Sequence, residues 1–176
     1  MRRRRRRRWK RSIAVLAVIV AVAALGLRFY FGRDAEDALR EGEQVDFAHL
    51  ALAQRGNVFL MCPSEPAMCN QPADAASPVF AIDATRLRDR WLEVVAREPR
   101  VHLVMADGER RHLVYIQHSA FFRFPDIVTV EFVPLGAERS TLAVLSRSRY
   151  GSMDMGVNAE RVRRWVNLLV AVTGSG

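Results

Sequence analysis

The chain changes its hydrophobic rhythm along its length. From Ile13 to Leu27 it runs fifteen residues without a charge, whereas from Ile82 onward apolar and polar positions alternate with helical or strand periods. A helix rises about 1.5 Å per residue, so Ile13 to Leu27 covers about 22 Å. Continuing through Arg28, Phe29, Tyr30 and Phe31 extends this to about 28 Å, close to the roughly 30 Å hydrocarbon core of a bilayer. Arg28 can snorkel to the interface, where Phe29 and Tyr30 are also at home. The pattern predicts a transmembrane anchor over 13–31. A removable signal peptide is the competing reading, since Ala21-Val22-Ala23 has the small-x-small form of a cleavage site. The apolar residues that continue past it into an aromatic cluster favour the anchor.

Behind the apolar stretch the chain turns polar, and 32–56 reads as a stalk. Asp34 is placed to cap a short helix to Arg40, and Phe47, Leu50 and Ala51 suggest a second short helix from Asp46 to Gln54, stopped by Gly56. The remaining 57–176 suffice for one compact domain and not for two. In it, Asp83 is the expected N-cap of a helix whose buried face is Leu87, Trp91, Val94 and Val95, bounded by Pro99. Val101 to Ala106 and Arg111 to His118 flank Asp107-Gly108, a strong hairpin signal. Ile127 to Val133, rich in β-branched residues, and Thr141 to Arg149 complete four strands. A final helix begins at Asn158 as N-cap and buries Val162, Trp165, Val166, Leu169 and Val170. The order predicts an α+β two-layer sandwich, a four-stranded antiparallel sheet with two helices on one face, preceded by one N-terminal transmembrane helix.

Charge fixes the orientation. The formal net charge is +8, yet residues 1–11 hold nine of the 27 basic side chains and no acidic one, so the rest carries 18 basic against 19 acidic residues. The near-neutral remainder has no electrostatic footprint for a polyanion, which argues against nucleic acid as a partner. A basic block beside an apolar helix stays cytoplasmic. Residues 1–12 are therefore the expected cytoplasmic tail, touching anionic headgroups, with 57–176 exported across the inner (cytoplasmic) membrane to the periplasmic or extracytoplasmic side.

In that oxidising compartment Cys62 and Cys69, the only cysteines, with Pro63 and Pro66 between them, are expected to form a small-loop disulfide. Free thiols, or a redox or metal role for the two cysteines, stay open at this level. His112 and His118 share strand parity but lie about 20 Å apart along it, so no metal site is expected, and no cofactor is implied. Arg147 and Arg149 project from one face of their strand, and Asp126, ahead of the neighbouring strand, is positioned to pair with either. This is a structural ion pair or an anion site. Gly151 to Asn158 is a turn in which Asp154 and Asn158 can satisfy backbone donors at the helix start, and Arg149 is also near enough for a local pair with Asp154. Asp126, Arg147, Arg149, Asp154 and Asn158 are thus the candidate ligand-binding residues. Phe121, Phe122 and Phe124 read first as core packing and second as a lipid-dipping or pocket-lining group.

Phe122-Arg123-Phe124-Pro125-Asp126, Val130-Glu131-Phe132 and Ser146 through Asn158 resemble the bacterial and plastid family known as domain-of-unknown-function family 1499. Its Ser-Arg-x-Gly-x-x-Asp-x-Gly-x-Asn run is matched at Ser148, Arg149, Gly151, Asp154, Gly156 and Asn158, and Cys62-Pro63 to Cys69 resembles its Cys-Pro…Cys element. The likeness spans Cys62 to Leu169. This chain departs from the pattern at Ile127, where a second Asp is usual, and at Asn70-Gln71-Pro72, where Val-Ser-Ser is usual. The resemblance implies export and fold and carries no established activity.

No nucleophile elbow or acid/base pair is visible in the sequence. The expectation is a non-catalytic, membrane-anchored cell-envelope domain binding a protein partner, a lipid or a small amphiphile. The alternative is an envelope enzyme whose polar site gathers Asp126, Arg147, Arg149 and Asp154.

Overall fold

A computed structural model describes the backbone of residues 2–40, 45–52, 56–65, 67–107 and 111–174, and the side chains of these except 2–8, 10–11 and 31–40. Helix α1 spans Arg2–Arg40 without a break where a separate helix from Asp34 was expected. Within it, Ser12–Tyr30 has a mean hydropathy of 2.4, and none of that window is buried inside the chain. Membrane anchors and signal sequences share that length and composition. The expected helix from Asp46 is a single 3-10 turn, Phe47–His49, with the Asp46 carboxylate accepting from the Ala48 amide at 2.9 Å; its expected end at Gln54 lies outside the described residues.

The domain follows as β1 (Val58–Cys62), β2 (Ala75–Ala76), α2 (Ala84–Val95), β3 (Val101–Asp107), β4 (His112–His118), β5 (Pro125–Pro134), β6 (Ser140–Ser148) and α3 (Val157–Thr173). One six-stranded sheet runs in the order β2-β1-β6-β5-β4-β3. Four of these strands are the predicted ones. The expectation of a four-stranded, wholly antiparallel sheet is corrected, because β1 pairs antiparallel with β6 and β2 lies parallel to β1. Buried on both faces, β1 (Val-Phe-Leu-Met-Cys) shows no apolar/polar alternation. With only two residues, β2 is too short to show a period. Gly108 of the predicted hairpin turn lies outside the described residues. β3 pairs with β4 as expected, with a register shift between Leu103 and Met105.

Both domain helices pack on one face of the sheet. Asp83 caps α2 by accepting from the Thr85 and Arg86 amides. Leu87, Trp91 and Val95 of α2 and Val162, Trp165, Val166 and Leu169 of α3 close over Phe59, Tyr115, Val128, Val130, Phe132, Leu142 and Val144. Trp165 packs edge-on against Trp91 at 5.8 Å and against Tyr115 at 6.1 Å. A fully buried indole removes about 150–250 Å² from water, a gross contribution of roughly 4–6 kcal/mol at about 25 cal/mol per Å². These two tryptophans therefore anchor the layer.

The second face is also covered. Phe47 and Leu50 bury against Leu60, Cys62, Ala143 and Leu145. Cys62 and Cys69 are disulfide-bonded as expected, and Asn70 just beyond donates its amide to Phe47 O at 3.2 Å and accepts from the Leu50 amide at 2.9 Å. The disulfide thus tethers the segment that lines this face.

Candidate functional site

One polar row crosses the helix-covered face at a single end of the sheet. Gln117 of β4 registers with Asp126 of β5, and Asp126 with Ser148 of β6. Ser148 in turn donates its amide to Asn57 O at 3.0 Å, immediately before β1. Strand alternation aims Gln117, Asp126, Ser146 and Ser148 at the first two turns of α3, where Asn158 and Arg161 lie on the same helical face as Val162 and Trp165.

These groups form a buried network. Arg161 is 4 % exposed and Asn158 fully buried. The Arg161 guanidinium donates to Gln117 Oε1, to Ser146 Oγ at 2.8 Å, to Asn158 Oδ1 at 2.6 Å and to Asp126 Oδ2. Asn158 Nδ2 donates to Asn57 O at 3.0 Å and to Ser148 Oγ at 3.1 Å, while the Ser146 hydroxyl donates to Asn158 Oδ1 at 2.6 Å. Gln117 Nε2 donates to Pro99 O at 3.1 Å. A buried guanidinium is tolerable only when paired and hydrogen-bonded, and here a carboxylate and three neutral acceptors supply that.

Asp126 and Arg161 floor a cleft of 330 Å³, flanked by Arg100, Glu160 and Arg164 and rimmed by Ser119, Ala120 and Val157. Arg164 is engaged by Glu98, and Arg100 Nε donates to His118 O at 3.1 Å. Beyond the rim, Phe121, Phe122 and Phe124 stand 71 %, 40 % and 36 % exposed. The reading of this cluster as core packing is therefore corrected. The β4–β5 loop closes on itself, Ser119 N donating to Phe124 O at 2.9 Å and Phe124 N to Ser119 Oγ at 2.9 Å. The closure projects residues 120–123 past the end of the sheet.

The five residues singled out from the sequence go to different places. Asp126 joins the cleft floor, paired with Arg161 of α3 and not with Arg147 or Arg149. Asn158 lies in the same network, inside the first turn of α3. The expectation that it caps that helix is corrected: Gly156, at φ 83°, is the N-cap residue. The capping carboxylate comes from Asp154, which accepts from Gly156 N at 3.0 Å and Asn158 N at 2.7 Å. Arg147 registers with Val58 and Ile127 and faces the other side of the sheet. Arg149 is exposed, its amide donating to Pro125 O at 3.2 Å. Asp126, Arg147, Arg149 and Asp154 do not converge on one cleft.

Arg161, Gln117, Ser146 and Asn57 were missed in the sequence reading. The available signal was Arg161 itself, a charge at a position whose neighbours at helical spacing, Asn158 and Trp165, belong to the buried face. A second set of buried polar atoms lies deeper. Tyr115 Oη and the Trp91 and Trp165 Nε1 atoms have no hydrogen-bond partner among the described residues. Burial pushes the Tyr115 phenol well above its ordinary value of 10.0.

A family model described as "Protein of unknown function (DUF1499)" matches residues 59–169. No curated protein matches the chain. Solved structures similar to it include the di-domain ARO/CYC BexL from the BE-7585A biosynthetic pathway, at 16 % identity over 56 % of this chain and 44 % of that one, with a TM-score of 0.39. A point mutant of norcoclaurine synthase from Thalictrum flavum, in complex with a transition-state analogue, matches at 9 % identity over 55 % of this chain and 92 % of that one, with a TM-score of 0.37. A solution structure from Thermobifida fusca matches at 17 % identity over 55 % and 84 %, again with a TM-score of 0.37. The chain spans less than half the length of BexL.

Proposed function

We propose that this chain, which belongs to the DUF1499 family of proteins of unknown function, is a membrane-anchored cell-envelope protein whose exported domain binds a small amphiphile without catalysing a reaction. The nine basic residues before the apolar segment support a cytoplasmic N-terminus, and the Cys62–Cys69 disulfide fits an oxidising compartment. The single observation that carries the binding role is the cleft. Its charged floor is internally satisfied by Arg161 and Asp126, and its rim at Ser119, Ala120 and Val157 runs directly into exposed aromatic surface. A polar floor with an apolar lip suits a molecule with a headgroup and a tail. Both charges of the floor are committed to each other.

Mass spectrometry of lipids retained by the full chain after extraction in mild detergent tests this. A defined amphiphile enriched over bulk membrane lipid is expected with the wild type and lost from Ala120→Trp, which fills the cleft rim. A bulk lipid profile in both overturns the proposal.

A further inference from the structure

We infer that the loop end of the sheet, residues 119–124 and 149–157, is seated in the headgroup region of the bilayer crossed by α1. The inference rests on the reading of Ser12–Tyr30 as a membrane span. Arg28 lies two residues before the end of that span, and its guanidinium Nη1 donates to Phe121 O at 2.7 Å and to Ala120 O at 3.4 Å. The aromatic loop is thereby held at the depth where the span emerges, which is the level at which aromatic side chains prefer to reside.

The exposed surface of this end is suited to that level. Besides Phe121, Phe122 and Phe124, the 149–157 loop exposes Met153, at 76 %, and Met155, at 97 %. The rings form one group, Phe121 against Phe122 at 4.8 Å, Phe122 against Phe124 at 5.4 Å and Phe124 against Tyr150 at 6.5 Å. Such a contiguous apolar surface is costly in water and marks a contact site. Its charges are basic, Arg123 and Arg149. The one carboxylate of the two loops, Asp154, is occupied by the backbone at the start of α3. Apolar side chains interleaved with arginines are what an anionic lipid surface attracts. Arg123 and Met155 also hold left-handed backbone, at φ 58° and 54°, a conformation that is unfavourable for side-chain-bearing residues and tends to persist where a function requires it.

The test uses the full chain in vesicles of phosphatidylethanolamine and phosphatidylglycerol, with a fluorophore on a single added cysteine and the native disulfide intact. Labels at Phe121→Cys and Met155→Cys are expected to be quenched about twofold by lipids spin-labelled near the headgroup, as for interfacially seated groups. A label at Glu138→Cys, in the turn at the opposite end of the sheet, is expected to be unaffected. Replacing Phe121, Phe122 and Phe124 together by Ser is expected to abolish quenching at Met155→Cys. A Leu16→Cys label separates the two ideas. Quenching at Leu16→Cys with none at Phe121→Cys and Met155→Cys overturns the seating and leaves the span intact, and is the result a protein partner at this surface would give. No quenching at Leu16→Cys overturns the span and the seating with it.

Discussion

Arg161, in the second turn of α3, donates to Asp126 on β5 with both side chains almost wholly withdrawn from solvent. The pair joins the helix layer to the sheet at the point where the cleft opens. Truncating one member of a buried pair strands the other charge. Arg161→Ala is therefore expected to destabilise the domain by about 3–5 kcal/mol, whereas Asp126→Leu combined with Arg161→Met recovers most of that loss. Urea unfolding of the single and double variants checks it, and a double variant no more stable than Arg161→Ala would contradict it.

Asp154 and Arg149 should respond in opposite ways. Asp154 accepts two amides at the start of α3, so Asp154→Ala is expected to cost about 1 kcal/mol through loss of the cap. Arg149 is exposed, and Arg149→Ala is expected to shift stability by less than about 0.5 kcal/mol. An envelope phenotype in Arg149→Ala at unchanged melting temperature would mark it as a contact residue.

Tyr115 supplies a pH signature. Its phenol is raised above 10.0 by burial, so the folded chain keeps the proton at a pH where the unfolded chain releases it. That contribution is complete below pH 10 and is lost as pH rises through the folded-state value, at up to about 1.4 kcal/mol per pH unit. Tyr115→Phe is expected to abolish this alkaline slope. It should match or exceed wild-type stability at neutral pH by up to about 1 kcal/mol, because the hydroxyl lacks a hydrogen-bond partner among the described residues. Melting curves from pH 8 to pH 11 decide the matter.

Breaking the disulfide is expected to cost about 2–3 kcal/mol for a loop of this size. The loss should be local before it is global. In Cys62→Ser/Cys69→Ser, hydrogen exchange is expected to accelerate first at the Leu50 and Asn70 amides, which hold the Phe47 segment against the second face. Uniform acceleration across the sheet would contradict this.

The legible parts of the fold were those with a clear period. Leu87, Trp91 and Val95 mark one helix face and Val162, Trp165 and Leu169 the other, and the β-branched runs of β4, β5 and β6 alternate or fill as strands do. β1 was illegible because burial on both faces erases alternation, and β2 because two alanines carry no pattern. Asp126 and Asn158 were singled out from the sequence and share one buried network, but their common partner Arg161 was not foreseen. Pairing Asp126 with Arg147 or Arg149 assumed that proximity in the sheet decides the contact. In the fold, alternation turns Arg147 to the far face, and α3 lowers Arg161 onto Asp126 from above. That juxtaposition depends on how the helix is laid over the sheet, which no local pattern encodes. The aromatic loop was misread for a related reason, since the Ser119–Phe124 closure that carries it beyond the core is made by one backbone bond and by the Ser119 hydroxyl, neither of which the apolar pattern of the phenylalanines signals.

The two margins of the sheet bear on how copies of this chain meet. One margin ends in β2, only two residues long and parallel to its neighbour; the other is β3, interrupted between Leu103 and Met105. Unpaired strand margins ordinarily recruit further strands, and short or irregular ones resist it. Under the membrane anchoring proposed above, copies that meet by lateral diffusion offer one another no straight ladder to extend, so crowding alone should not zip them into aggregates.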